Sequence, residues 1–140
     1  MDKKVNTIYT FFMEESIFMK IIRGEVPAHK VYEDERTLAF LDIFPEVEGH
    51  VLVVPKVQVD KFYDLSEEDY EALFTTVKKV ARRLEEVFGT RTLVKIIGTD
   101  VAHAHVHLMP FDANYVEGRE VTRRSDEELA GVAKKVRLDG

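Results

Sequence analysis

The sequence predicts an α+β fold built on an antiparallel sheet. Two observations carry that prediction. The hydrophobic periodicity switches between helix and strand spacing in the order α-β-β-β-α-β-β-α, and the strands come in groups joined by short turns, with helices inserted between groups. Hydrophobic residues make up 45% of the 140 positions, enough for one compact core. Residues 14–23 place Ile17, Phe18, Ile21 and Ile22 at helical spacing, and Gly24 and Pro27 then end the segment. Val31 to Glu33 and Thr37 to Ile43 read as strands around a turn at Asp34-Glu35-Arg36, and Gly49 to Pro55 as a third, central strand. Ser66, with Asp69 three residues on, opens the clearest helix. Tyr70, Leu73, Phe74, Val77, Ala81, Leu84 and Phe88 form its apolar stripe, and Gly89 closes it. Arg91 to Ile97 and His103 to Met109 read as two more strands. Ser125 and Glu128 then cap a last helix bearing Leu129, Val132, Ala133 and Val136.

Composition excludes several classes. The formal net charge is -6, which argues against broad electrostatic binding of DNA or RNA. Any phosphate group must be held by local donors instead. The absence of cysteine removes disulfides, thiolate nucleophiles and Cys-ligated metals from consideration. The apolar run Ile8 to Met13 is too short for a signal core, and nothing approaches the roughly 20 apolar residues of a membrane span. A cytoplasmic address is the expectation. No repeat or linker divides the chain, so the expected organisation is an N-terminal extension over 1–13, a domain over 14–112 and a tail with a helix over 113–140.

Three of the five histidines alternate, at His103, His105 and His107. On a strand, alternate side chains share a face, so the imidazoles project together, adjacent members ~7 Å apart and the outer two ~13 Å. Three readings follow. The row could be the polar outer face of a strand. It could ligate a metal, with Asp100 and His50 as further ligands, although the row is too extended to wrap one ion. Or one imidazole could be a nucleophile toward a carbonyl or phosphorus centre, since its pKa lies near working pH.

His103-Ala-His105-Val-His107-Leu-Met resembles the signature of the histidine triad (HIT) superfamily, and further segments follow in that family's order. They are Ser16-Ile-Phe-Met-Lys-Ile-Ile-Arg-Gly-Glu-Val-Pro-Ala, Val31-Tyr-Glu-Asp-Glu, Leu38-Ala-Phe-Leu-Asp-Ile and Gly49-His-Val-Leu-Val-Val-Pro-Lys56. The resemblance implies a five-stranded antiparallel sheet with two main helices plus the C-terminal helix, and a homodimer. It implies a nucleotide hydrolase in which His105 attacks the α-phosphorus, forming a nucleotidyl-histidine that water hydrolyses. It makes His103 and His107 its flanking partners and His50 an orienting histidine on a neighbouring strand. Asp42 would bind ribose hydroxyls, and Phe18, Ile21, Phe40 and Ile43 would wall the base of a purine nucleotide; from spacing alone those four also read as ordinary core. No cofactor is implied. Ser16 and Met19 stand where some members carry zinc-binding cysteines, so that metal is expected to be absent. His29 is expected to be an exposed bystander.

Thr99 and Asp100 occupy positions where many members place a phosphate-contacting Gln and Ser. Thr99 can still donate a hydrogen bond, whereas an ionised Asp100 repels phosphate. Asp100 therefore turns away, or is protonated and supplies a proton to the leaving group, or serves a cationic or amine leaving group. The preceding loop is short, and the family's phosphate-contacting Asn has no counterpart near Lys95 to Gly98. The expected reaction is cleavage of a nucleoside monophosphate from a leaving group, as in phosphoramidates or adenylates. Dinucleoside polyphosphate cleavage and nucleotide-dependent regulation with weak catalysis are the alternatives.

Overall fold

The computed structural model describes residues 14–139. The expected extension over 1–13 lies outside them. The elements are α1 (Ile17–Ile22), β1 (Lys30–Glu33), β2 (Thr37–Leu41), β3 (Val51–Pro55), α2 (Glu67–Phe88), β4 (Thr92–Lys95), β5 (Val106–Pro110) and α3 (Asp126–Val136), with a 3-10 turn at Phe62–Asp64. The five strands form one sheet in the order β1-β2-β3-β5-β4, every neighbouring pair antiparallel. This is the α+β arrangement that the periodicity predicts.

Each helix starts where a hydroxyl can satisfy an otherwise orphaned amide. Ser16 accepts from the Met19 N–H, Ser66 from Asp69 and Ser125 from Glu128. At its other end α2 stops at Gly89, whose φ of 74° is left-handed.

The sheet is buried on both faces. Leu38 and Phe40 of β2, with Leu52 and Val54 of β3, pack under Phe18 and Ile21 of α1. Ala39, Leu41, Val51, Val53, Val106 and Leu108 point the other way, onto Leu73, Val77, Val80 and Leu84 of α2 and Leu129, Ala133 and Val136 of α3. Two-sided burial explains why these strands read as continuous apolar runs. The stripe expected on α2 is shifted slightly: Tyr70 is exposed, while Val80 and Thr76 are buried, Thr76 sharing a 2.7 Å hydrogen bond with Thr37. The tail helix belongs to the same core. The Arg124 N–H donates to the Ile43 carbonyl in the loop after β2 and the Leu138 N–H to that of Val31 in β1, so both ends of the α3 segment are tied down.

Several boundaries differ from expectation, β4 among them at Thr92–Lys95 rather than Arg91–Ile97, and three bear on the site. β2 ends at Leu41 and β3 begins at Val51, which puts Asp42, Ile43, Gly49 and His50 in the connecting loop. Gly49 is required there: its φ is 89°, and a Cβ would lie 2.8 Å from the Phe88 ring. β5 begins at Val106, three residues later than the alternation predicts. The ladder stops because the amides of His103 and Ala104 are used elsewhere, bonding the carbonyls of Val101 (2.8 Å) and Val59 (2.7 Å). His29 is half-buried rather than exposed, and its Nε2 lies 3.0 Å from Asp126 at the start of α3. No helix among the described residues is long and apolar enough to cross a membrane.

Candidate active site

Although only His107 lies within β5, the extended backbone before the strand keeps the alternation. All three triad rings face the α1 side of the sheet. His105 and His107 have ring centroids 5.2 Å apart, and the edge of Phe18 meets His105 at 5.0 Å and His103 at 5.6 Å. The relative exposures of His103, His105 and His107 are 0%, 3% and 7%, so each ring nitrogen needs an account.

The partners assign the tautomers. The Nδ1 of His105 lies 2.7 Å from the carbonyl oxygen of His103, so Nδ1 carries the proton and donates it. Its Nε2 is left with a lone pair. His50 works in the opposite sense. Its Nδ1 accepts from the Glu46 backbone N–H at 3.1 Å, which places its proton on Nε2. That Nε2 donates to Nδ1 of His107 at 2.9 Å. The remaining nitrogen of His107, Nε2, is therefore an N–H donor, and it has no partner among the described residues. A lone pair on one imidazole thus stands beside a free N–H on the next, the pair of functions that attack on phosphorus and stabilisation of its oxygens require.

Burial keeps this wiring neutral. It pushes His50 down to about 3 and His107 down to about 4, with the positive field of Lys95 adding to both. His103 is also lowered by burial. Both of its nitrogens are occupied: Nδ1 accepts from the Ser16 hydroxyl at 2.7 Å and Nε2 donates to the Pro55 carbonyl at 2.8 Å. That leaves neither free for a phosphate oxygen.

Two supports were not visible in the sequence. On one side, the Ser16 N–H donates to Gln58 Oε1 (3.0 Å) and Gln58 Nε2 donates to the Ala102 carbonyl (3.2 Å), bracing the segment that carries His103. On the other, Lys95 of β4 pairs with Glu46 at 2.7 Å, both side chains less than a fifth exposed, and Tyr115 donates to the same carboxylate at 3.2 Å. Burial opposes the charge of Lys95, but Glu46, Tyr115 and Glu117 outweigh it and hold its pKa above the usual value. The Glu46 residue so anchored presents the amide that sets the tautomer of His50. A lysine set between Leu93-Val94 and Ile96-Ile97 was the available signal.

The remaining expected residues divide. Asp42 lies at the end of β2; its Oδ1 accepts from the Phe44 N–H at 2.9 Å, and Oδ2 is 3.7 Å from His50 Nε2. Burial raises its pKa, and the nearby Glu46 and Asp100 carboxylates reinforce this. Phe18, Ile21 and Phe40 cluster together on the triad face, whereas Ile43 packs against the opposite core. Thr99 is exposed and, with Lys61, Phe62, Ile97 and Gly98, lines a cavity of about 230 Å³ that reaches His105. Asp100 turns inward. Its Oδ1 lies 3.1 Å from His105 Nε2, within ion-pair range but off the direction of a ring N–H bond, and accepts from the Val101 N–H at 3.0 Å.

Among the described residues two groups bring three possible metal-ligand atoms within 4.8 Å of one another, Asp42-His50-His107 and Asp100-His105-His107. Neither fits the tautomers. In the first, His50 Nε2 and His107 Nδ1 share a hydrogen bond, and in the second His107 Nε2 carries a proton, whereas a ligating nitrogen must offer a lone pair.

Comparison with known proteins agrees with the geometry. The chain is 42% identical over 103 residues to Protein hit of Bacillus subtilis, covering 69% of this chain and 71% of that one. It is 38% identical over 96 residues to adenosine 5'-monophosphoramidase hnt1 of Schizosaccharomyces pombe, covering 67% and 72%. The crystal structure of a Hit-like protein from Bartonella henselae superposes with a TM-score of 0.79 at 32% identity, covering 88% of this chain and 94% of that one. The HIT domain family profile matches residues 23–114, and the chain belongs to that family.

Proposed function

We propose that the chain hydrolyses a purine nucleoside monophosphate, AMP or GMP, from its leaving group through a nucleotidyl-histidine at His105. The observation that carries this reading is the nucleophile's wiring: Nδ1–H of His105 is bonded to the His103 carbonyl, leaving the Nε2 lone pair beside the unpartnered N–H of His107. In the first step Nε2 forms a bond to phosphorus and the bond to the leaving group breaks. The leaving group departs with the bonding pair and takes up a proton from solvent. In the second, water attacks phosphorus and gives up a proton to solvent, the P–Nε2 bond breaks and the pair returns to the imidazole. The N–H of His107 donates to a non-bridging oxygen as charge builds there.

His50 holds the tautomer of His107. His103 acts as a positioning residue through its carbonyl and its doubly bonded ring. Asp42 receives ribose hydroxyls, Phe18, Ile21 and Phe40 border the base, and Thr99 offers a hydroxyl to the phosphate. The likeness to proteins named as adenosine 5'-monophosphoramidases favours a phosphoramidate as the substrate class. A homodimer in the cytoplasm completes the reading.

The test is AMP release from adenosine 5'-phosphoramidate with a chelator present. Turnover should persist in the chelator and fall by about 10³-fold or more in His105→Ala. Turnover that is indifferent to His105, or lost on chelation, would refute the mechanism.

A further inference from the structure

We propose that Asp100 sets leaving-group specificity, favouring uncharged and amine leaving groups and opposing those that carry another phosphate. The inference rests on the phosphoryl chemistry proposed above and concerns a residue that chemistry does not require. The Asp100 carboxylate stands 3.1 Å from the nucleophilic nitrogen, which is itself fully covered. Phe18 and His107 flank the His105 ring. In-line displacement needs phosphorus on the Nε2 lone-pair axis with the leaving atom beyond it, and the carboxylate, 3.1 Å from Nε2 but off that axis, stands beside the path. The side chain is 44% exposed and sits on an exposed loop after Gly98, so it has room to swing outward. Once displaced by the α-phosphate, it borders the leaving group.

Among the described residues no lysine or arginine pairs with that carboxylate, and the His105 nitrogen that faces it at 3.1 Å carries a lone pair in the tautomer assigned above. Lys95, the cation whose field reaches His50 and His107, is already taken up by Glu46 and Glu117. The Val101 amide holds the carboxylate at the site, close enough to Asp42 for the two carboxylates to repel. One negative charge on the α-phosphate meets the His107 donor. A β-phosphate would add charge against Asp100, and Lys61, which lines the cavity reaching His105, forms no ion pair with that carboxylate to offset it, whereas an amine presents N–H groups that a carboxylate accepts.

The experiment compares wild type with Asp100→Asn, and with Asp100→Ser as a second variant, using two unreactive probes. These are the methyl ester of AMP, which adds no charge beyond the α-phosphate, and α,β-methylene ADP, which adds a second phosphate. Calorimetry should show both variants gaining about 10- to 100-fold in affinity for α,β-methylene ADP relative to the methyl ester, equivalent to about 1.4–2.8 kcal/mol. In parallel, kcat/KM for diadenosine polyphosphate over adenosine 5'-phosphoramidate should rise by a similar factor. An unchanged affinity ratio in both variants, or an equal gain for both probes, would overturn the assignment. Wild-type protein that shows the binding contrast but releases no AMP would support Asp100's role while removing the hydrolase reading.

Discussion

Neutral, buried histidines make this fold acid-sensitive above the range where carboxylates titrate. A histidine in the unfolded chain ionises at about 6.5. In the folded protein burial pushes His50 to about 3 and His107 to about 4. Between those values and 6.5 the unfolded state binds protons that the native state refuses, so stability must fall as pH falls. At pH 5 an unfolded histidine is 1.5 units below its pKa, which favours unfolding by about 2 kcal/mol per residue at about 1.4 kcal/mol per unit. His50 and His107 together give about 4 kcal/mol between pH 8 and pH 5. His103, also lowered, acts in the same direction. Against a total stability of roughly 5–15 kcal/mol this is a large change. Urea unfolding followed by circular dichroism at pH 8 and pH 5, at one protein concentration, measures it. His50→Asn should cut the difference by about 2 kcal/mol, whatever that substitution does to stability at pH 8. A wild-type difference under 1 kcal/mol, or one that His50→Asn leaves intact, would refute the neutral wiring.

Two further substitutions probe the supports of the triad. Ser16→Ala removes both the cap of α1 and the donor to His103 Nδ1; it should cost about 1–3 kcal/mol in chemical denaturation and lower kcat more than it raises KM, with Ser16→Thr restoring most of both. Lys95→Met leaves the Glu46 carboxylate without its cation, so about 2 kcal/mol or more of stability should be lost; kcat should fall about tenfold as the Glu46 amide loosens from His50, with Lys95→Arg retaining activity. A kcat for folded Lys95→Met equal to wild type would detach the ion pair from the chemistry.

The sequence carries the face of each side chain more clearly than the partner of each backbone atom. The alternation of His103, His105 and His107 reports that three imidazoles share a face, and the structure agrees. The same alternation places the strand start three residues early, because period 2 records extended backbone and not whether the amides of His103 and Ala104 meet β3 or the loop at Val59. The tautomer wiring of the histidines is hidden for the same reason. What assigns the proton of His105 is a carbonyl, and what assigns that of His50 is an amide, groups that every non-proline residue supplies and no residue type announces. Asp100 marks the boundary between the two kinds of information. Its charge is written in the sequence and raises the conflict with phosphate, but the choice among turning away, donating a proton and facing an amine depends on direction. The Val101 amide supplies that direction by holding the carboxylate beside Nε2 of His105, which is where the proposed chemistry would let it choose what leaves.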